Sequence, residues 1–398
     1  LTFDRTSSTL WCFVSNTDGN FNSAIGDSIY IQDAQLEQGL VATDYIETGT
    51  SAAQSGILED MPRLDYSGSC PSLLLEPQRT NKMPNSEYFG GYNLGSGVTL
   101  DQNHSISPEG VQNASRVNLS TSANLGVEKA VGGTYESQTH TISVWARCAS
   151  GTESFRLKCT HANVLDYFSS DFTATTEWQR FDFSKTFTAT TGTGIVAGVV
   201  NESGGGVKSI EIFGLQLETN SSYPTSYIPT YGTSQTRSAD LCLATSVSDL
   251  IDSRQGTMFL DFKALANVLP SEYSYFSMSD GTYSNRISIL QSVSSTNQVR
   301  VFAFVGGTKV FDMNDLVTDI TTQTKVALRY AENAFDVFIN GVKTSTDTSG
   351  SIFPANTLDR ISFSEIGTTS SAFKGKVNQS LVFPTALTDS ECIALTTL

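Results

Sequence analysis

The chain is 398 residues long, 39% hydrophobic and only 16% charged, with 24 Lys and Arg against 40 Asp and Glu and a net charge of −16. That length suits two to three domains, and abundant Ser, Thr, Asn and Gly suit sheet faces and turns rather than disorder. Nucleic-acid binding needs clustered Lys and Arg to neutralise phosphate, and no such cluster exists here; anionic membranes are disfavoured for the same reason, and no apolar run approaches the roughly 20 residues that span a bilayer.

An internal repeat is the first informative feature in chain order. Residues 29–55 read IYIQDAQLEQGLVATDYIETGTSAAQS, and residues 210–238 read IEIFGLQLETNSSYPTSYIPTYGTSQTRS. Ile31, Gln35, Leu36 and Glu37 align with Ile212, Gln216, Leu217 and Glu218, and after one-residue gaps Tyr45 and Ile46 align with Tyr227 and Ile228. The second copy closes a module of about 150 residues, whereas only about 28 residues precede the first. Residues 1–47 are therefore expected to be the C-terminal part of a truncated module, because a severed sheet exposes edges that invite aggregation. Residue 1 would lie inside a longer protein, or another chain would donate the missing strands.

Residues 48–85 are rich in Gly, Ser and Pro and read as a linker. Their apolar run Leu73–Leu75 demands burial, so this segment is expected to pack on a neighbouring module. From 86 to 237, runs of period-two alternation recur every 8–15 residues: THTISVWARC (139–148), SFRLKC (154–159), EWQRFDFSKTFT (177–188), TGIVAGVVN (193–201) and KSIEIFGLQLE (208–218). Turn signals such as SGT (150–152) and SGGG (203–206) separate them. About eight such strands fit an antiparallel jelly-roll sandwich. Trp145 and Trp178 could stack on sugar rings, but their mid-strand positions favour core or inter-sheet packing. Strands 139–148 and 154–159 read as a hairpin turning near 149–152. All six cysteines, Cys12, Cys70, Cys148, Cys159, Cys242 and Cys392, are expected to be free, buried thiols, since none makes a CxxC pair and Cys159 would face about residue 144 in that hairpin. Free thiols suit assembly in a reducing cytoplasm.

The blocks EPQRTN (76–81), SVWAR (143–147), EWQRFDF (177–183), GLQLE (214–218) and YPTSYIPTYGTSQTRSAD (223–240) carry a resemblance. In this order they resemble the carbohydrate-binding, galactose-binding-like jelly-roll modules of phage tail and head fibre proteins. The resemblance covers about residues 64–240 and the truncated copy. It implies a virion role, contacts with other virion proteins, and a homotrimer, for which Leu73–Leu75 is the candidate contact.

From 238 to 398, strands are read at RQGTMFLDFKAL (254–265), NRISILQSV (285–293), QVRVFAFVGG (298–307), KVALRYAENAFDVFINGVKTST (325–346), RISFSE (360–365) and GKVNQSLVFPTAL (375–387). AENA marks a hairpin and Asn340–Gly341 a tight turn. Thr388 to Glu391 carries the acceptors and acid of a helix start, and a closing helix there makes Leu398 read as a natural end. KVALRYAENAFDVFINGV and FKGKVNQSLVFPTALTDSECIAL (373–395) resemble the concanavalin A-like, laminin G-type sandwich. Members of that group bind glycans or proteins, and many hold calcium at a loop rim. Asp280, Asp312 and Asp315 are the candidate oxygen ligands here, although they do not have the spacing of a recognised calcium loop. SEYSYFSMSDGTYSNR (271–286) has the Tyr-rich polar composition of a recognition surface. Tyr273, Tyr275 and Tyr283 are its candidate glycan-binding residues, with a plain strand pair and exposed tip as the alternative.

No catalytic motif was found. His104, His140 and His161 are scattered, there is no GxSxG elbow or P-loop, and no strand carries the paired carboxylates of a concanavalin-type glycosidase, Asp261 and Asp336 being isolated. The expectation is an all-β protein of tandem antiparallel sandwiches: 1–47 truncated jelly roll, 48–85 linker, 86–237 jelly roll, 238–398 laminin G-like. It would act without catalysis as a phage tail fibre or tailspike component that binds host-surface polysaccharide. A head fibre or capsid decoration protein is the structural alternative, and a polysaccharide depolymerase the enzymatic one.

Overall fold

Runs that alternate apolar with hydroxyl-bearing side chains bury one face and solvate the other only as antiparallel sheets. In a computed structural model of the chain, such runs build two antiparallel β-sandwiches. Residues 35, 45–48, 62–135, 137–161, 167–188, 194–267, 273–292 and 295–398 are described. Of the repeat's first copy, only Gln35 and Tyr45 to Thr48 are among them; the truncated module and Cys12 otherwise lie outside the described residues.

In the first sandwich, one sheet runs Gln179–Thr186, Thr139–Arg147, Lys208–Thr219, Arg79–Asn81, Gln235–Arg237, with Ala114–Leu119 also paired to the long Lys208–Thr219 strand and Thr99–Ser105 paired to Ala114–Leu119. The facing sheet runs Phe172–Ala174, Glu153–His161, Gly194–Asn201, Gly126–Gly132, Asn93–Leu94. Ile142, Val144, Ala146, Ile212 and Leu217 of one sheet meet Val127, Phe155, Leu157, Ile195 and Val199 of the other in a fully buried core. Strands 139–147 and 153–161 lie in different sheets, so the expected hairpin is wrong. Each strand carries its own apolar stripe, and the chain crosses between sheets so that the two stripes face each other over the core. Cys148 and Cys159 are free and buried, as is Cys392, while Cys242 is half-buried and Cys70 is exposed, against expectation.

In the second sandwich, one sheet runs Leu64–Asp65, Ser72–Leu75, Gly375–Phe383, Gln255–Ala264, Thr324–Ala331, Ala334–Ile339, Val342–Asp347. The other runs Leu243–Thr245, Arg360–Ser362, Ser274–Ser279, Arg286–Gln291, Gln298–Val305, Thr308–Leu316. Met258, Leu260, Leu328 and Val337 pack on Phe276, Ile287, Ile289 and Val301 between them. The tight turn has Asn340 at φ 49° and Gly341 at φ 82°, the left-handed pair that matches strand twist. A capping box on Thr388 and Glu391 starts the helix Asp389–Thr396, whose Cys392 packs on Phe259, Ala327 and Phe338 over the outside of the first sheet.

The connecting segment supplies strands to both sandwiches. Leu73, Leu74 and Leu75 pair with Val377, Lys376 and Gly375 as part of the C-terminal sheet, while Arg79–Asn81 pairs with Gln235–Arg237 of the jelly roll. The Leu73–Leu75 run is therefore committed within the chain, with Leu75 in the core, and is not the free surface expected of a trimer contact. The C-terminal sandwich accordingly begins in sequence well before residue 238.

Candidate functional site

The recurrent blocks of the jelly roll turn out to build its interior. Gly214 (φ 66°) makes a bulge in Lys208–Thr219, after which Gln216 and Glu218 point outward beneath the returning segment 223–231. Gln216 Oε1 accepts from Ile228 N at 2.7 Å, and Glu218 accepts from Thr225 N at 3.0 Å and Thr225 Oγ1 at 2.6 Å. Asn81 accepts from Leu217 N and donates to Ile228 O. Tyr227 and Tyr231 both donate to the buried Glu87 (3.0 and 3.1 Å), and burial raises the Glu87 carboxyl above its ordinary range. Each polar group in this clasp has been taken out of water and re-partnered, as buried polar groups must be. The same bond recurs in the first repeat copy, where Ile46 N donates to Gln35 Oε1 at 2.6 Å, the residues aligned with Ile228 and Gln216. Asn81, Gln216, Glu218 and Glu87 are thereby spent on internal bonds that hold the chain's shape.

Trp145 and Trp178 do not join the jelly-roll core, contrary to expectation. Trp145 alternates with the core residues Val144 and Ala146, so its ring lies on the outer face. Trp178 is half-buried beneath Arg147, whose guanidinium sits 4.8 Å from its ring, and its indole donates to Ile106 O at 3.1 Å.

A second concentration of aromatic and charged groups covers the outer face of the C-terminal six-stranded sheet. The segment 271–286 gives a strand, Ser274–Ser279, and a hairpin tip at 280–285. Tyr273 and Tyr275 stand 5.7 Å apart, and Tyr275, Leu290 and Phe302 form an apolar cluster flanked by Tyr273 and Phe304. Tyr275 is buried, 5% exposed, whereas Tyr273 is half-buried and Tyr283, at the tip, is 53% exposed. Arg286 binds the three segments together: its guanidinium lies 5.4 Å from the Tyr283 ring and 4.1 Å from Phe304, and it pairs with Glu365 at 3.1 Å. Arg300 stacks 5.4 Å from Phe302 and makes two bonds to Asp312, 2.7 and 2.6 Å. Burial pushes the Glu365 carboxyl and the Tyr275 phenol up; hydrogen bonding to Arg300 holds Asp312 low. Phe302 is 3% exposed, so on this face the accessible aromatic surface is that of the half-buried Tyr273 and Phe304 and of Tyr283 at the tip, rings able to pack on the apolar side of a sugar.

Sequence reasoning named the three tyrosines but missed Arg286, Arg300, Phe302, Phe304 and Glu365. The signal was present in NRISILQSV and QVRVFAFVGG, where Arg286, Leu290, Phe302 and Phe304 occupy the phase of a period-two strand opposite the core residues Ile287, Ile289, Val301 and Ala303. Large aromatics there call for a partner.

The candidate cation ligands are each occupied. Asp280 accepts from Thr282 and Asn285 inside its turn, Asp312 is held by Arg300 and Lys309, and Asp315 accepts from Ser345. Among the described residues no three His, Cys, Asp or Glu side chains gather as a metal site. Asp261 accepts from Gln323 and Asn378, and Asp336 from Arg329 and Thr346. His140 and His161 pack on Phe187 at 4.5 and 5.0 Å, and His104 lies 3.7 Å from Glu211.

No protein-family profile matches the sequence, and no curated protein matches it. Among solved structures, the chain is similar to the CBM40 of Ruminococcus gnavus IT-sialidase bound to α2,3-sialyllactose: 21% identity, TM-score 0.31, covering 36% of this chain and 83% of that one. It is similar also to the CBM22-1 xylan-binding domain of Paenibacillus barcinonensis Xyn10C, at 11% identity and TM-score 0.28, over 36% and 94% of the two chains. A heptameric SAP-like pentraxin from Limulus polyphemus matches at 14% identity and TM-score 0.29, over 40% and 82%.

Proposed function

We propose that this chain binds a glycan, without catalysis, through the outer face of the C-terminal six-stranded sheet, as the receptor-binding or structural part of a phage tail fibre or tailspike. The observation that carries the binding site is the half-buried pair Tyr273 and Phe304 with Arg300 on that face, backed by the buried Tyr275, Phe302 and Arg286. Both guanidiniums are neutralised by Glu365 and Asp312, which suits a hydroxyl-rich, uncharged sugar more than an acidic one. The phage setting, host-surface polysaccharide as ligand and a trimeric assembly rest on the sequence resemblance.

Binding of the whole chain to a panel of bacterial polysaccharides tests this. The isolated segment 238–398 is unsuitable because it lacks strands Leu64–Asp65 and Ser72–Leu75 of its own sheet. Tyr273→Ala and Phe304→Ala should each weaken binding about tenfold, equivalent to ~1.4 kcal/mol of lost ring contact, with no release of reducing ends. Unchanged affinity in both variants would remove this face as the site.

A further inference from the structure

We infer that the cleft between the two sandwiches is a second ligand site, selective for a carboxylate such as that of an acidic sugar, and centred on Arg180. The cleft is about 420 Å³ and is walled by Arg180, Thr225 and Ser226 of the jelly roll, by Asp65 and Glu76 of the connecting segment, and by Lys263 and Lys376 of the C-terminal sandwich, among others. Its acids are already spoken for. Glu76 accepts from Arg63 at 2.7 Å and Arg237 at 2.5 Å, and Asp65 pairs with Lys376 at 3.0 Å.

Two cations of the cleft are not matched in this way. Among the described residues, neither Arg180 nor the exposed Lys263 has a carboxylate within 4 Å. Arg180 Nη2 donates to Ser143 Oγ at 2.9 Å, and its buried Nε has no partner. Burial lowers its pKa, while Glu218, Glu76 and Asp182 act on it only through space. Arg237 and Arg286 share the partnerless buried Nε, so the contrast lies in the carboxylate, which Arg63, Arg147, Arg237, Arg286, Arg300 and Arg329 all contact. Proteins pair buried charges because an unpaired one is costly to desolvate. A guanidinium left unmatched at the wall of an open cleft, in a chain of net charge −16, is set up to take its counter-charge from a ligand. The planar fork suits a carboxylate; Thr225, Ser226 and Thr321 line the walls, their hydroxyls bonded to Glu218, Arg63 and Asp319. This site stands on residues separate from those of the sheet face.

Trp145 provides the readout, since it is the cross-strand partner of Arg180. The full chain is titrated at constant ionic strength with sodium D-glucuronate, D-glucose and sodium sulfate while tryptophan emission is followed, with Trp145→Phe as the control for the origin of the signal. Saturable change with glucuronate is expected, none with glucose, and weaker binding of sulfate. Arg180→Gln should lower glucuronate affinity at least tenfold and leave thermal stability equal or higher, because it removes an unmatched, half-buried charge. Lys263→Gln, at an exposed position, should lower it several-fold without affecting folding, and Tyr273→Ala should leave it unchanged. The proposal is overturned by no saturable response, by equal responses to glucose and glucuronate, by tighter binding of sulfate, or by unchanged affinity in the Lys263 variant. Lower stability of Arg180→Gln would also overturn it, by making Arg180 a structural residue.

Discussion

Replacement of Glu76 by alanine should be among the most destabilising single changes in this chain. The side chain is 3% exposed and stands where the connecting segment, the jelly roll and the start of the C-terminal sandwich meet. It accepts from Arg63 Nη1 at 2.7 Å, Arg237 Nη1 at 2.5 Å and Ser226 N at 2.8 Å. Alanine leaves Ser226 N unpaired and strips Arg237 of its carboxylate, while Arg63 keeps Asp240. Removing one partner of a buried ion pair costs ~3–5 kcal/mol. Glutamine keeps one acceptor and the shape, and should cost ~1–3 kcal/mol. The pH dependence has a definite sign. Despite the opposing effect of burial, Arg237 and Arg63 hold the Glu76 carboxyl below its reference value of 4.5. A carboxyl whose folded pKa is depressed contributes stability in full above its unfolded pKa and loses it as pH falls through the folded value. The gap between wild type and Glu76→Gln should therefore narrow below about pH 4.5. Urea unfolding followed by circular dichroism at pH 7 and at several lower values measures both effects. A loss under ~1 kcal/mol in Glu76→Ala at pH 7, or a gap to Glu76→Gln that does not change with pH, would refute the assignment of this carboxylate as the pin of the junction.

Three further outcomes are expected. Leu75→Ala, in the core of the C-terminal sandwich, should cost ~2–5 kcal/mol in chemical denaturation, and 238–398 alone should lack a cooperative thermal transition while 62–398 shows one. Gly126→Ala should cost ~1–3 kcal/mol or more, because the added Cβ would stand 2.0 Å from the Val199 carbonyl oxygen; a melting temperature within a degree of wild type would contradict this. Calcium and chelator should leave the melting temperature and polysaccharide binding alike, since Asp280, Asp312 and Asp315 are each engaged within the protein; a calcium-dependent rise in melting temperature would show a site formed by other residues.

Much of the fold was legible because sheets write themselves into sequence at short range. The period-two runs at 255–264, 286–291 and 298–305, the Asn340–Gly341 turn and the Thr388 capping box all depend on neighbours within a few residues. For 271–286 the composition allowed both a recognition surface and a plain strand pair with an exposed tip, and the strand pair formed; Thr308–Leu316 escaped notice because its outer positions are charged. Of the candidate site, composition pointed to Tyr273, Tyr275 and Tyr283. It could not say that Tyr275 would be buried, nor that Arg286 would tie the tip to Phe304 and Glu365.

By itself, then, the amino-acid order determined the all-β class, the repeat and most strands, since alternation, turn chemistry and capping are local. The repeat even carried a structural fact, the hydrogen bond from the Ile backbone N–H to the Gln side-chain oxygen found in both copies. Tertiary structure decided which strand lies beside which. Hydrogen bonding between strands is indifferent to sequence distance, so Leu73–Leu75 could join a sheet edge three hundred residues away in place of facing another chain. It decided too which charges are matched: Arg286 and Arg180 look alike in sequence, but among the described residues folding brings a carboxylate to the first and to the second only a serine hydroxyl.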